Sequence, residues 1–556
     1  MHWLLSSLQI LGEYKTEQND RLTISSLLTD DDGRVDIDGN TDIPHKLNHP
    51  GHAGAIFLAN IGDTDRRCSS LALSDSSPSN EKLAACNDAS DDIQRSPQYL
   101  APLRTVPISC LNPNAYGTVS VEDAIARKNV RIFRREGSNW LITPNDHMFT
   151  NNQLQQGLNL GIDARDTRRP SGWDGRVTVH FTVHDREDVS RQCEAASCSH
   201  FMLPSFSFGP PGSHHCTKFV SAFDGALAEM NVNFPLFKFN ASDDIWAQDF
   251  FEPGYTSMPG PDGPVTLRVM IRSAQDTRVA GRQVFEYLRA AGTGAVQHLG
   301  GALSKAKKYP AGRIVLGSHE GKKPYILEYL QAQEIQDPLL VDVDWLAVGH
   351  VDEMLQFLPA NNSLGWVMLV PDPQEGLAIL RRAQSAGHGK TCAFSRQNDT
   401  EGNLSDLFGL PWGSRGVPSY TIDDLLSQNE LREANANFSK RIKATVGVIK
   451  RETGITDADI YGLPVVFRTG LTYPPDVGID PERSGSSKYA GSLYPATING
   501  LVLRNTKYLA PNPWGPVVNN GDIMADAVSE VYCRLGFKVG FVDDWNSHHT
   551  WGGEVH

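Results

Sequence analysis

Three short stretches carry side chains whose types and spacing could do chemistry. The first, "SDDIWAQDFFEPGY" from Ser242 to Tyr255, sets Asp243, Asp244, Asp249 and Glu252 beside Trp246 and Gln248. Its apolar neighbours suggest that Asp249 is partly buried. A buried carboxylate needs a cation or hydrogen-bond donors, or it must neutralise. Such an Asp serves either a bound cationic group or an internal arginine. The second stretch, "WLAVGHVDEMLQFLP" from Trp345 to Pro359, holds His350 and Asp352 two residues apart. On an extended backbone these two side chains share one face. An imidazole beside a carboxylate can move a proton or bind one cationic group. A structural His–Asp pair at a sheet edge is the competing reading, and zinc would need a third ligand that the sequence does not place. The third stretch is "FVDDWNSHHTWGGEVH", Phe541 to His556. It is polar and rich in His and Gly, as loops that carry chemistry often are.

The elements around these residues set what could position them. A chain of 556 residues, 40% apolar and 21% charged, is ordinary soluble composition and too long for one core. No apolar run reaches the ~20 residues that cross a bilayer, which argues against a membrane partner. The net charge of −14 argues against nucleic acid as the main partner. It suits a cationic substrate, and equally solubility alone. The eight cysteines form no CxxC pair, so a zinc module is not expected. Cys533 falls in an amphipathic helical pattern and is expected in the core.

Residues 20–185 are rich in short strand-like runs, among them "RLTISSLL", "GAIFLANI", "VRIFRREG", "WLIT" and "VTVHFTVHD", punctuated by Gly, Pro, Asn and Asp. That pattern predicts a β-sandwich over 1–190. The stretch 191–218, "RQCEAASCSHFMLPSFSFGPPGSHHCTK" from Arg191 to Lys218, lacks periodicity and reads as a loop or linker. Beyond 219, strands and helices alternate, with one long helical pattern across "DDLLSQNELREANANFSKRIKATVGVIKRETG". This part, 219–556, reads as an α/β or α+β catalytic domain. The acid-rich turn "DDDGRVD" clusters oxygen ligands around a glycine, as calcium loops do, or is a solvated turn.

In this order, the three stretches resemble the protein-arginine deiminase family. "WAQDFFEPGY" is similar to its W-x-Q-D-x-x-E-x-G-Y segment, and "VGHVDEMLQFLP" to its V-G-H-V-D-E-F-L-x-F-V-P segment. "PWGPVVNNGD" through "GGEVH" resembles the stretch leading to its nucleophile. The resemblance covers roughly residues 240–556. It implies an α+β chain: an immunoglobulin-like β-sandwich followed by a five-module α/β propeller of the guanidino-modifying type. It implies hydrolysis of peptidyl-arginine to citrulline and ammonia through a covalent cysteine adduct. Asp249 and Asp352 would grip the guanidinium, His350 would act as acid and base, and Trp246 would line the pocket. Arg278 would contact the substrate backbone. Arginine-containing proteins or peptides would be the partners.

Calcium is the implied cofactor, with Gln248 and Glu252 beside the active site and Asp30, Asp32, Asp36, Asp63 and Asp65 in the N-terminal half. The position after Asp249 is Phe250, where vertebrate members place an acid, so the N-terminal acids are the better set. In the family G-E-V-H runs directly into C-G-T-N, which puts the nucleophile at position 557, while the sequence ends at His556. The 556-residue chain is therefore expected to bind arginine without turning it over. A pseudoenzyme that binds arginine peptides, a calcium-binding scaffold or adhesion protein, and a hydrolase of small guanidino compounds are the alternatives. The resemblance implies a cytoplasmic protein. Sequons such as Asn240-Ala-Ser242 leave secretion as the alternative.

Overall fold

The structure is a computed structural model. It describes residues 24–26, 57–74, 79–105, 107–108, 111, 113–169, 172–177, 179–186, 189–195, 207–208, 214–232, 237–238, 246–258, 265–272, 278–297, 302–306, 309–319, 321–324, 326–333, 337–397, 417–471, 482–483, 485–504 and 506–556. Asp30, Asp32 and Asp36 lie outside the described residues. Helix and strand are mixed throughout. The chain divides into two compact units: Met1–Ser205 with Asp249–Gly300 and Tyr325–Asp337, and Phe206–Gln248 with Gly301–Pro324 and Pro338–His556. The expected boundary near 191–218 differs from this division, because 249–300 and 325–337 group with the N-terminal residues.

The first unit contains two antiparallel sheets. One orders the strands 24–26, 101–105, 159–164, 130–136 and 139–142, and the other 148–150, 116–120, 179–186 and 189–195. Alternate burial marks Tyr116–Ser120 in the second sheet, whereas Asn159–Ala164 in the first is buried on both faces from Leu160 onward. Arg131 and Asp163 are fully buried and joined by two hydrogen bonds, Nε to Oδ1 at 2.9 Å and Nη2 to Oδ2 at 2.6 Å. The remaining Arg131 nitrogen donates to the carbonyls of Asp88, Asp91 and Ile93. A buried ion pair is tolerable only when its leftover donors are satisfied in this way.

Several expectations are corrected here. The described part of "GAIFLANI", 57–61, forms no strand; Ala59 makes an isolated bridge to Ala164, and the neighbouring Asn60 side chain donates to Asp163. The supposed linker carries structure at both ends. Val189–Ala195 pairs antiparallel with Val179–Arg186, and the helix His214–Glu229 begins before Lys218. Strand pairing there overrides a composition of Ser, Cys and charged residues that carries no strand signal.

One pattern recurs from residue 251 onward. A hairpin is followed by a helical segment and then by a strand parallel to the hairpin's second strand. It occurs with Phe251–Met258, Val265–Arg272 and Thr293–Gln297; with Ala302–Ala306, Tyr309–Ser318 and Leu339–Asp342; and with Gln356–Pro359, Trp366–Asp372 and Ile460–Pro464. Leu501–Arg504, Lys507–Pro511 and Lys538–Val542 form the last such sheet, with Phe467–Thr469 and Ala490–Ser492 as a further antiparallel pair.

Caps fix where the crossover helices start. Asp522 accepts from the backbone of Met524 and Ala525 to open Ile523–Arg534. Asp372 accepts in the same way from Gln374 and Glu375 before Pro373–Ala383. The long helical pattern resolves into two helices, Ile422–Ser427 and Asn429–Thr453, because Gln428 is extended at φ −72°, ψ 104°. The second helix buries Leu431, Asn435, Phe438, Ile442, Thr445 and Ile449 along one stripe and stops at the left-handed Gly454. Asn435 ties that stripe to the sheet by exchanging hydrogen bonds with both backbone groups of Phe467. Cys533, expected in the core, is exposed, since Val528, Val531 and Tyr532 take the buried face of its helix.

Candidate active site

The second unit assembles a site around Asp352. Trp345 and Leu346 before it, and Val351, Met354 and Leu355 around it, are buried in one core with Phe438 and Ile442 of the long helix. The Trp345 ring stacks on Phe438 and meets Phe467 edge-on, each at 5.1 Å between centroids. These anchors leave His350 exposed and Asp352 half-buried. The backbone is not the extended run expected. Val351–Glu353 form a 3-10 turn, because the Glu353 carboxylate reaches back to the N–H groups of Gly349 at 2.9 Å and His350 at 2.7 Å. Gly349 sits at φ +89°, and a Cβ there would collide with the His319 ring. That turn aims Asp352 at its partners.

Asp352 Oδ2 accepts from the Asn499 side-chain amide at 2.8 Å and from His556 Nδ1 at 2.8 Å. Burial pushes the Asp352 carboxyl up. The hydrogen bond and charge of His556, then His350 and the Asn499 amide, outweigh burial and hold it down at about 2. Asp352 is therefore an anion near neutral pH. Glu353, next to it in the turn, behaves oppositely: burial raises its carboxyl to about 7.

Both partners of Asp352 hang on a buried carboxyl. Glu554 Oε1 accepts from the Ala496 N–H and from His549 Nδ1, each at 2.9 Å. Ala496 opens the turn that presents Asn499, and the Asn499 N–H closes it on the Ala496 carbonyl at 2.9 Å. Tyr508 and Gln356 hold the same turn through the carbonyls of Thr497 and Ile498. His549 and Glu554 are 3% and 6% exposed at the side chain, close enough for an ion pair. Burial nevertheless favours the neutral pair. It raises Glu554 to about 8 and lowers His549 to about 4, and Asp544 beside them is pushed well above the carboxylate range. Gly553, next to Glu554, lies under the Trp246 ring; a Cβ there would strike it. Trp246 also meets His548 edge-on at 5.3 Å.

The first unit holds the other expected residues. Asp249, in the short helix Ala247–Phe250, accepts from Arg278 Nη2 at 2.8 Å. Their side chains are 27% and 21% exposed, so the Asp that was expected to grip substrate and the Arg expected on its backbone are joined to each other. Glu252 is half-buried on Phe251–Met258, opposite Ile271. Asn499, Glu353, Glu554, Asp544, His549 and His556 were not singled out from the sequence. The density of His and acids in the last stretch was the only signal for most of them, and Asn499 gave none.

Two of the expected calcium ligands, Asp63 and Asp65, make other contacts. Asp65, a candidate ligand, has both oxygens taken by guanidinium groups, Oδ1 by Arg67 at 3.0 Å and Oδ2 by Arg95 at 2.6 Å. Asp63 gives Oδ1 to the Cys68 N–H, and burial raises its carboxyl. Calcium takes about six to eight oxygens, and arginines on one carboxylate compete directly with it. Among the described residues no three His, Cys, Asp or Glu side chains group to hold a metal. No described helix is long and apolar enough to cross a membrane.

The chain thus mixes helix and strand in recurring hairpin-and-crossover sheets, and it sets one Asp between an amide and an imidazole. A family model described as protein-arginine deiminase matches residues 211–556, well over half of the sequence. The chain belongs to the protein-arginine deiminase family. It is 31% identical over 343 residues to protein-arginine deiminase type-4 of Rattus norvegicus, covering 56% of this chain and 46% of the relative. It is 29% identical over 342 residues to the type-3 protein of Homo sapiens, with the same coverage. With the human type-1 protein it shares 28% over 341 residues, 56% of this chain and 45% of the relative. The match thus spans less than half the length of these relatives.

Proposed function

We propose that this chain binds the guanidinium of arginine residues in proteins and peptides, for hydrolysis to citrulline and ammonia. The observation that carries this reading is the Asp352 carboxylate, kept ionised between Asn499 and His556 inside the segment that matches the family. A guanidinium is planar and permanently charged, and carboxylates match its fork of N–H donors. Asp352 takes that fork, and the family resemblance gives Asp249 the same kind of guanidinium contact and Arg278 the substrate backbone. Trp246 packs along the aliphatic stem. His350, exposed at the rim of the turn, moves the protons. A cysteine thiolate, in the place the family gives it after G-E-V-H, attacks the guanidinium carbon. Ammonia leaves, and water activated by the imidazole releases citrulline from the covalent adduct.

The same reading assigns the N-terminal half to an immunoglobulin-like sandwich, supported by its two antiparallel sheets, and the recurring sheets to a five-module propeller. It places the protein in the cytoplasm. It assigns calcium to Asp30, Asp32 and Asp36, since Asp65 is committed to arginines. Calorimetric titration of the full chain with a benzoylated arginine amide tests the function. Saturable binding that a benzoylated citrulline amide does not reproduce supports it, and equal or absent binding of both rejects it. A parallel citrulline assay separates binding with turnover from the binding-only alternative.

A further inference from the structure

The first unit holds a disulfide, Cys68–Cys86. Arg289 is 1% exposed and points its guanidinium at the bridge: Nη1 is 3.1 Å from Cys68 Sγ and 3.4 Å from Cys86 Sγ. Nη2 donates to the Leu83 carbonyl, and the guanidinium stacks over Phe285 at 4.4 Å. Among the described residues no carboxylate hydrogen-bonds to it. Its Nε is buried without a partner there, as is Asp63 Oδ2. A buried guanidinium whose acceptors are one carbonyl and two neutral sulfurs is poorly compensated. Burial accordingly pulls its proton affinity down to about 10, with the Asp63 charge opposing. A thiolate in place of one sulfur would supply the missing anion. The two residues also differ in exposure, Cys68 being fully buried and Cys86 half-buried.

We propose that Cys68–Cys86 is a thiol-exchange site, attacked at Cys86 and using Arg289 to stabilise the thiolate that leaves on Cys68. The co-reactant is a small dithiol. Its thiolate attacks the accessible Cys86 Sγ, and the S–S electron pair passes to Cys68 Sγ beside Arg289. The second thiol of the reagent then closes on the mixed disulfide and expels the Cys86 thiolate, which takes a proton from water. The dithiol loses two electrons and the cystine gains them. A leaving thiolate of lowered basicity departs faster, and a neighbouring arginine lowers that basicity. Asp63, which accepts from the Cys68 N–H at 3.3 Å, is the charge that works against it.

The test is reduction of the native full chain by dithiothreitol, followed by alkylation and mass mapping. Arg289→Gln should slow reduction about tenfold or more, and Arg289→Lys should recover much of the rate. With glutathione, a single-thiol reagent, the trapped mixed disulfide should sit on Cys86. Should the Arg289 variants fail to fold, alkylation of Cys68 in Cys86→Ser reads the same property. Its rate should titrate well below the ~8.5 of a free thiol. Equal reduction rates in wild type and Arg289→Gln, glutathione trapped on Cys68, or an ordinary Cys68 titration would each overturn the assignment.

Discussion

Asp352 shows how one carboxylate can stay ionised while half-buried. Its two partners are supplied from distant parts of the chain, Asn499 and His556. Hydrogen bonds to a charged group contribute about 1.5–3 kcal/mol, so losing one should be felt in binding. Asn499→Ala should weaken binding of a benzoylated arginine amide about ten- to a hundredfold, and Asp352→Asn should weaken it further. Calorimetry checks both, and unchanged affinity in Asp352→Asn would remove this residue from the site. Glu554 acts one step back, by holding the turn of Asn499 and the segment of His556 together. If it works as a neutral carboxyl, an amide should replace it. Glu554→Gln should keep near-normal affinity, while Glu554→Ala should lose it about tenfold, the size of one lost buried hydrogen bond. Equal losses in the two variants would mean that the negative charge, not the hydrogen bond, is what matters.

The turn Val351–Glu353 determines where these groups point. Its geometry depends on Gly349, whose positive φ and contact with His319 exclude a side chain. Gly349→Ala should both destabilise the protein, by ~1–3 kcal/mol from backbone strain alone, and displace Asp352. Denaturant unfolding and arginine-amide titration read the two effects separately. A variant with wild-type stability and affinity would show that the turn tolerates another conformation. This turn was only half legible in the sequence. The pair His350 and Asp352 stood out by type and spacing, but period 2 suggested a strand. The Glu353 side chain, which competes for the backbone N–H groups, decided otherwise. The long helical pattern was legible because its apolar spacing matches the stripe that Asn429–Thr453 buries, although the break at Gln428 was not. Val189–Ala195 was not, since its strand exists through pairing with Val179–Arg186 rather than through its own residues. Contacts between residues far apart, such as Asn499 on Asp352 or Arg289 on the cystine, leave no local pattern to read.

Across the molecule, buried acids give folding a pH signature whose sign can be worked out. Burial lifts Glu554 to about 8 and Glu353 to about 7, against 4.5 for an ordinary glutamate. Each raised acid holds a proton in the folded chain that the unfolded chain has already lost. Its stabilising contribution is complete below about 4.5 and disappears as pH rises through the folded value. His549 works on the other side. Burial lowers it to about 4 from 6.5, so between those values only the unfolded chain protonates it. From about 4.5 to 6.5 the extra proton on folded Glu554 and the extra proton on unfolded His549 cancel, and that pair leaves stability level. Above 6.5 only the folded chain keeps an extra proton, and stability falls until about 8. Glu353 adds its own fall between 4.5 and 7, and Asp544, raised well above the carboxylate range beside Glu554, acts in the same direction. Asp352, held at about 2, contributes in the opposite sense but only in acid, below the usual 3.8. The denaturation midpoint should therefore be highest in mild acid and decline between pH 6.5 and 8. A tenfold change in the acidity of one group corresponds to about 1.4 kcal/mol, so the decline should amount to a few kcal/mol at most. Glu554→Gln, which cannot ionise, should make the decline above 6.5 shallower while leaving the declines due to Glu353 and Asp544. Urea titrations at closely spaced pH values provide the measurement. A midpoint that rises from pH 6.5 to 8, or a Glu554→Gln profile identical to wild type, would show that Glu554 is ionised in the folded chain and that its contact with His549 is an ion pair after all.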